Sequence, residues 1–379
     1  MTMPGLATGI AGALLAGVIL WDAFETILVP RRIGRRVRLT RYFYMVAWRL
    51  WRALAVRIGS TGRRESFLGF FGPLSLLMLL VLWAAGLVVA FALLQLAAQG
   101  ASTSGGRHFL TLLYMSGETF FTLGFGDVTP ASGAGRLLSV LESGTGFGFL
   151  GTVVGYLPTM YGAFAQRELE ISLLDSRAGS PPTAAEFIGR LPAEGAARHC
   201  DTILRAWERW AAQLLETHIS YPQLAYYRSQ HLNQSWLGAL TAILDSSAII
   251  LAGAEPLPSQ QAKLTFAMAR HALVDITQIF VRRYAEVGAD RLPPGRLKRL
   301  EDHLADRPVK LRGTGEHEER LRVLRLMYEP YAQALAEFLL FELPPWIHQQ
   351  SRRDNWQGGP WDRDLAVQAE HEHPREDHF

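Results

Sequence analysis

Apolar residues crowd the first 165 positions of the chain and form three long runs, Gly5 to Val29, Phe67 to Leu96 and Leu137 to Phe164. Each exceeds the roughly 20 helical residues that cross about 30 Å of hydrocarbon, so three membrane-spanning helices are predicted. None of the runs contains Lys or Arg. The first lacks a basic leader and a small-residue cleavage site, and it reads as a retained span. Beyond the third run, Ala178-Gly179-Ser180-Pro181-Pro182 reads as a linker. Helical periodicity then covers about Ala196 to Thr217, Gln234 to Leu251, Gln260 to Val287 and Glu316 to Phe341, with almost no strand alternation. Trp236 to Gly253 is apolar enough for a fourth span. Asp245, Ser246 and Ser247 interrupt it, which favours a buried helix of a soluble bundle. The tail after Ser351 is rich in Gly, Asp, Glu, Arg and His and is expected to be disordered.

The expected architecture is an all-α membrane protein: three transmembrane helices, a re-entrant helix and loop between the second and third, and a soluble helical bundle. Four segments follow: 1–66 with the first span and a basic helix, 67–165 as the central module, 166–350 as a helical domain, and 351–379 as the tail.

Charge fixes an orientation. The net charge is only +3, but residues 30–65 carry eleven arginines against the single acid Glu65. Basic loops stay on the cytoplasmic side, so the amino terminus is expected outside and everything after about Gln166 inside a cell inner (plasma) membrane. Arg38, Arg41, Arg49 and Arg52 fall within about 80° of one another on a helix. That pattern predicts an interfacial helix, with arginines toward anionic headgroups and Trp48 and Trp51 at the boundary. A voltage-sensing helix is the rival reading; it lacks a sustained every-third repeat and companion spans. The lone cysteine, Cys200, cannot form an intrachain disulfide.

The chemistry sits between the second and third runs. Arg107 to Phe121 is too short to cross the membrane, and it leads into Thr122-Leu123-Gly124-Phe125-Gly126-Asp127 and then Pro130. Non-helical backbone at membrane depth is tolerated only where protein buries it or where it lines a wet path. Gly124 and Gly126 permit left-handed backbone angles, so successive carbonyls can turn toward one axis. The short helix would also aim its negative carboxyl-terminal end at that path, favouring a cation. Basic residues that an anion path would need are absent there.

This layout resembles the pore module of potassium channels, in which a carbonyl-lined filter replaces the ion's hydration shell. Glu118-Thr119 precede the hexapeptide, Pro130 follows it, Gly135-Arg136 opens the next helix, and Gly146 comes ten residues after Arg136. The resemblance covers about residues 68–165. It implies that the carbonyls of Thr122, Leu123, Gly124 and Phe125, with the Thr122 hydroxyl, bind K+ ions, and that Asp127 caps the filter. It also implies that Glu118 stands behind the filter and shares a proton or water with Asp127; the alternative places Glu118 toward the outer vestibule. Gly146 aligns with the family's hinge glycine, and Pro158 is expected to kink the same helix near a gate. Leu123, Phe121 and Phe125 depart from the usual residues, and Phe125 lacks the hydroxyl that would tie the filter to its surroundings.

Other signals carry less. Gly144-Thr145-Gly146-Phe147-Gly148 imitates a second filter and a nucleotide loop, but no pore helix or strand precedes it; small residues for close packing explain it better. Glu142, inside the third span, is a functional candidate by default, or else pairs with Arg136 or snorkels outward. His371, His373 and His378 read as a solvated tail rather than a metal site. The basic stretch Arg291 to Arg325, with Arg296, Lys298, Arg299 and Lys310, reads as a solvated face or a site for an anionic ligand or lipid.

One filter per chain implies four chains around one pore, a homotetramer in membrane lipid without nucleic acid. The reading is a potassium-selective channel subunit with permeant K+ and no organic cofactor, and not an enzyme. A weakly selective cation channel and a membrane-anchored sensor or enzyme are the rivals. Neither the gating stimulus nor any ligand of the helical domain can be read from the sequence.

Overall fold

The computed structural model describes residues 3–29, 38–98, 108–130, 132–231, 233–281, 290–305, 307, 309–311, 315–348 and 354–357. The helices in chain order are α1 (Met3–Ile27), α2 (Leu39–Ala55), α3 (Thr61–Gly69), α4 (Phe71–Ala98), α5 (Phe109–Phe120), α6 (Gly133–Ala178) and α7 (Ala184–Gly189), followed by α8 (Ala196–Ser220), α9 (Trp236–Gly253), α10 (Ser259–Phe280), α11 (Pro294–Ala305), α12 (Gly315–Leu326) and α13 (Glu329–Leu339). A two-residue antiparallel pair, β1 (Ala254–Glu255) with β2 (Lys310–Leu311), is the only sheet among the described residues. The chain is therefore an all-α membrane protein with an additional helical part.

It divides into two compact units. The first comprises Met1–Phe164 together with Ile219–Tyr227, and the second comprises Ala165–His218 and Arg228–Phe379.

In the first unit α1 lies along α4, and small residues let the backbones approach. A Cβ at Gly12 would stand 2.8 Å from the Ala90 carbonyl oxygen, and one at Gly86 would stand 2.5 Å from Ile19 Cδ1. Ala16 and Ile19 fill the seam with Leu79, Leu80, Trp83 and Leu87. The turn into α2 is fixed by acids that the first span carries. Asp22 accepts from the Thr40 backbone N–H at 3.0 Å, from the Thr40 hydroxyl, and from Trp83 Nε1 at 3.1 Å. A carboxylate there satisfies a free N–H in the first turn of α2 and meets the positive end of its dipole. Arg38 stands 3.5 Å from Glu25 and donates to Thr26 Oγ1 at 3.0 Å.

The tryptophans of α2 pack on the protein. Trp48 is buried against Phe71, and Trp51 stacks on Phe67 at 4.4 Å between ring centroids.

Four helical stretches are long and apolar enough to cross a membrane: Gly5–Ile27, Thr61–Ala98, Gly133–Ala178 and Trp236–Gly253. The last differs in its surroundings. Its apolar window is 89% buried inside the chain, against 22%, 56% and 11% for the other three. It is the core helix of the second unit, with α10, α12, α7 and α13 packed around it.

Several helices depart from the sequence expectation. The third span continues as one helix to Ala178, beyond the predicted Phe164, until Gly179 at φ +83° ends it. The single helix expected over 316–341 is two, because Pro330 has no N–H to donate and sits at the start of α13. Helix α10 stops at Phe280; the rest of that expectation, to Val287, enters a stretch outside the described residues. Helix α11 occupies part of the expected basic face. In the expected tail, Asp354 receives Arg190 at 2.7 Å and the Ser180 N–H at 3.2 Å, so 354–357 is anchored at the end of α6. Residues 358–379, with His371, His373 and His378, lie outside the described residues, as do 30–37 with four of the arginines, 99–107 and 351–353.

Candidate functional site

The central feature is α5 and the loop that follows it. Helix α5 rests on α4 through Leu112 and Met115, which meet Ala92. At its end the backbone alternates in hand: Thr122, Gly124 and Gly126 have φ of +56°, +69° and +77°, and the residues between them do not share this sign. Two glycines make the alternation cheap, whereas the β-branched Thr122 holds the conformation at a cost, as strained functional segments do. Alternating hand turns successive peptide planes the same way.

The loop's N–H groups point back into the protein. Phe121 N–H donates to the Gly117 carbonyl at 3.0 Å, Thr122 N–H to Thr119 at 3.1 Å and Leu123 N–H to Glu118 at 2.9 Å, so the orphan carbonyls at the end of α5 are used. Gly126 N–H donates to the Glu118 side chain at 2.8 Å. No described residue donates to the carbonyls of residues 122–126. The loop is exposed in the single chain, with Leu123 and Phe125 more than half open.

Glu118 is buried within the chain, and its Oε1 holds the Gly126 N–H of the loop. Asp127 makes different contacts: its Oδ1 accepts from the Val128 N–H at 3.1 Å and lies 3.4 Å from the Tyr114 hydroxyl. No direct bond joins Glu118 to Asp127 among the described residues, and Glu118 Oε2 has no hydrogen-bond partner there.

Helix α6 closes against this arrangement. Ser132 caps it by accepting from the Gly135 N–H at 3.0 Å. Gln95 of α4 donates to the Gly135 carbonyl and to Ser139 Oγ, both at 3.0 Å. Gly146 has a packing reason: a Cβ there would lie 2.0 Å from the Phe120 carbonyl oxygen. The helix is unbroken at Gly146 and also at Pro158. Gly144, Gly148, Gly151 and Gly155 meet nothing of their own chain where a Cβ would stand. Glu142 neither pairs with Arg136 nor snorkels outward. It is fully buried and bonded to Ser116 of α5.

Around the middle of α6 the first unit takes in a short segment that no sequence pattern marks out. Residues Pro222–Tyr226 form a 3-10 turn. Tyr226 stacks on Tyr44 at 5.6 Å and meets Trp48 and Phe71 at 5.1 Å. Tyr227 lies over Gly72, where a Cβ would stand 2.6 Å from its ring, and Gln223 bonds the Tyr156 hydroxyl two residues before Pro158.

The second unit is organised around Asp245, in the middle of α9. Arg291 grips it with both terminal nitrogens, at 3.1 and 2.6 Å, and reaches Glu329 at 3.1 Å; Tyr328 bonds the same carboxylate. Arg325 pairs with Glu329 at 3.1 Å and with Asp290. Burial alone would lower the Arg291 pKa, but the adjacent Asp245 and Glu329 carboxylates raise it overall, so the guanidinium stays charged. Arg291 and Arg325 are thus bound internally and are not part of a solvated basic face. Lys298 and Arg299 remain exposed on α11. No cluster of three or more metal-binding side chains occurs among the described residues. The lone Cys200 is buried, and burial pushes its thiol up to about 12, so it is not poised as a nucleophile.

A short helix ending in a loop of alternating hand lies between two long apolar helices of a membrane protein. Residues 76–162 match the family model described as ion channel. The chain is also 25% identical, over 293 residues, to the uncharacterized membrane protein YdjJ of Bacillus subtilis (strain 168), an alignment covering 75% of this chain and 82% of that one. No solved structure matches the chain.

Proposed function

We propose that the chain is one subunit of a potassium-selective channel in which four copies surround a single axis. The supporting observation is the backbone of residues 122–126: alternating hand, the N–H groups of Thr122, Leu123 and Gly126 bound to α5, and carbonyls without donors among the described residues. Four such loops make stacked rings of oxygen that replace the hydration shell of a bare cation. The carbonyls of Thr122, Leu123, Gly124 and Phe125 and the Thr122 hydroxyl are the K+ ligands, Asp127 caps the filter, and Glu118 keeps its backbone in place. The negative end of α5 at Phe120 adds a favourable field for the ion. The amino terminus lies outside, the second unit is cytoplasmic, and the host membrane is the cell's inner (plasma) membrane. The reading assigns conduction and no catalytic step. Gly146 and Pro158 lie on the pore-lining helix where an opening movement would be felt.

The test is a reversal potential measured on purified protein in a planar bilayer under opposed potassium and sodium gradients. A value near the potassium equilibrium potential supports the reading. One midway between the two cations indicates a weakly selective cation channel, and one at the chloride potential ends it. Gly124→Ala places a side chain at φ +69°, where left-handed backbone costs about 1–2 kcal/mol per residue. Selective current should disappear while the oligomer survives on native gels.

A further inference from the structure

Glu142 is the one acid of α6 within the predicted span, and it is completely buried. Its Oε1 bonds Ser116 Oγ of α5, and the same Ser116 Oγ lies 2.7 Å from the Val88 carbonyl oxygen of α4. Ser116 is itself fully buried, and Glu142 Oε2 has no hydrogen-bond partner among the described residues. Among the described residues no cation faces the carboxyl group: Arg136, the basic residue of this part of α6, is exposed and sits six residues earlier, about 120° around the helix.

The proton inventory decides the state of this group. A serine hydroxyl carries one proton, and a backbone carbonyl can only accept. An ionised Glu142 could also only accept, so Ser116 would have to serve two acceptors with one proton beside an uncompensated buried charge. A carboxylic acid removes the conflict: Glu142 donates to Ser116, and Ser116 donates to Val88. The oxygen left without a donor is then a neutral carbonyl, whose burial costs far less than that of a carboxylate.

The position of this relay gives it a task. Ser116 and Phe120 lie four residues apart on α5, and Glu142 and Gly146 lie four apart on α6. The two pairs meet in register, Glu142 on Ser116 and Gly146 on the Phe120 carbonyl. Phe120 is the last residue of α5 before the filter loop.

We propose that Glu142 is held as an uncharged carboxylic acid and that its relay through Ser116 to Val88 positions the filter-bearing helix between α4 and α6. It is a positioning residue, since it touches no ion path itself. Its effect on current rests on the channel reading above; its protonation state does not.

Infrared difference spectroscopy of the full chain in lipid at neutral pH, wild type minus Glu142→Gln, tests the state directly. The expected result is the carbonyl stretch of an un-ionised carboxyl in the wild type and its loss in the variant. Carboxylate bands in its place overturn the proposal, whether or not the protein conducts potassium. In bilayers Glu142→Gln, which keeps a neutral donor, should fold, keep the wild-type reversal potential and rescue what Glu142→Ala loses. Glu142→Ala and Ser116→Ala leave buried partners unmatched and should reduce selective current about tenfold. Failure of Glu142→Gln to fold, or equal losses in Glu142→Gln and Glu142→Ala, counts against an uncharged donor.

Discussion

The loop at residues 122–126 and the network around Asp245 handle polar groups in opposite ways. In the loop, carbonyl oxygens are exposed and have no donor among the described residues, while the N–H groups of residues 121–123 and Gly126 are bound behind them. Around Asp245, two arginines, two acids, a tyrosine and a tryptophan bind one another in the interior, and the exposed Asp290 joins them at the edge through Arg325. Buried charge is tolerated only when paired, so the second unit is electrostatically complete in one chain. Unmatched carbonyls are tolerated because they face open space. The contrast separates a network satisfied within one chain from a loop whose carbonyls stay open in it, the arrangement that the proposed channel would use.

The largest test of that contrast is Asp245→Leu, which takes the two-pronged partner from Arg291 and leaves it paired with Glu329. Loss of one partner of a buried pair costs about 3–5 kcal/mol, and Asp245→Leu combined with Arg291→Met should recover most of it. Denaturant unfolding in detergent measures both, and an unchanged midpoint for the single variant would remove the network from the account. Next is Gly146→Ala. Its Cβ would meet a backbone oxygen at 2.0 Å, so α6 or α5 must shift, at about 3 kcal/mol and with altered conduction. Gly148→Ala, open within the chain, should change stability by less than about 1 kcal/mol; a larger loss would reveal a second chain against that face.

A third test uses pH. Burial, then nearby Arg167, lowers the His218 pKa from 6.5 to about 3, while Nδ1 bonds the Leu214 carbonyl oxygen at 2.8 Å. The unfolded chain therefore takes up a proton that the folded ring refuses. Stability falls as pH drops below about 6.5, by about 2 kcal/mol at pH ~5, and goes on falling toward about 3. His218→Phe should flatten that slope; an equally steep curve would assign it to other groups. A modest effect is expected at Asp22, an acid of the first unit that accepts from Thr40 and Trp83. Asp22→Ala should cost about 1–2 kcal/mol by uncapping α2 and leaving Trp83 unmatched, read as a shift in thermal midpoint.

The spans and the left-handed glycines of the loop after α5 were legible in the sequence because they are local patterns: apolar runs, and Gly124 and Gly126 beside a flanking Glu118. The roles of Asp245 and Glu142 were not. Each looked like a polar interruption of an apolar helix, and each is explained by a partner tens of residues away, Arg291 in one case and Ser116 in the other. Gly146 was readable as a special position but not as the one that lets α6 touch the Phe120 carbonyl. Helix α11 was hidden because its basic residues suggested a solvated face, although Leu300 and Leu304 on it are buried. Arg291, just before α11, likewise read as part of that face until Asp245 was placed beside it.

Tyr226 and Tyr227 carry a consequence for how the protein is made. The aromatic seat formed by Tyr44, Trp48, Phe71 and Gly72 belongs to the first unit, yet its occupant is encoded after the whole of α8. During synthesis the membrane helices and the loop after α5 emerge long before the residues that fill this seat. A ribosome stalled near residue 200, or a protein cut at Phe164, would hold the whole of residues 122–127 and still lack the aromatic pair seated at the start of α4.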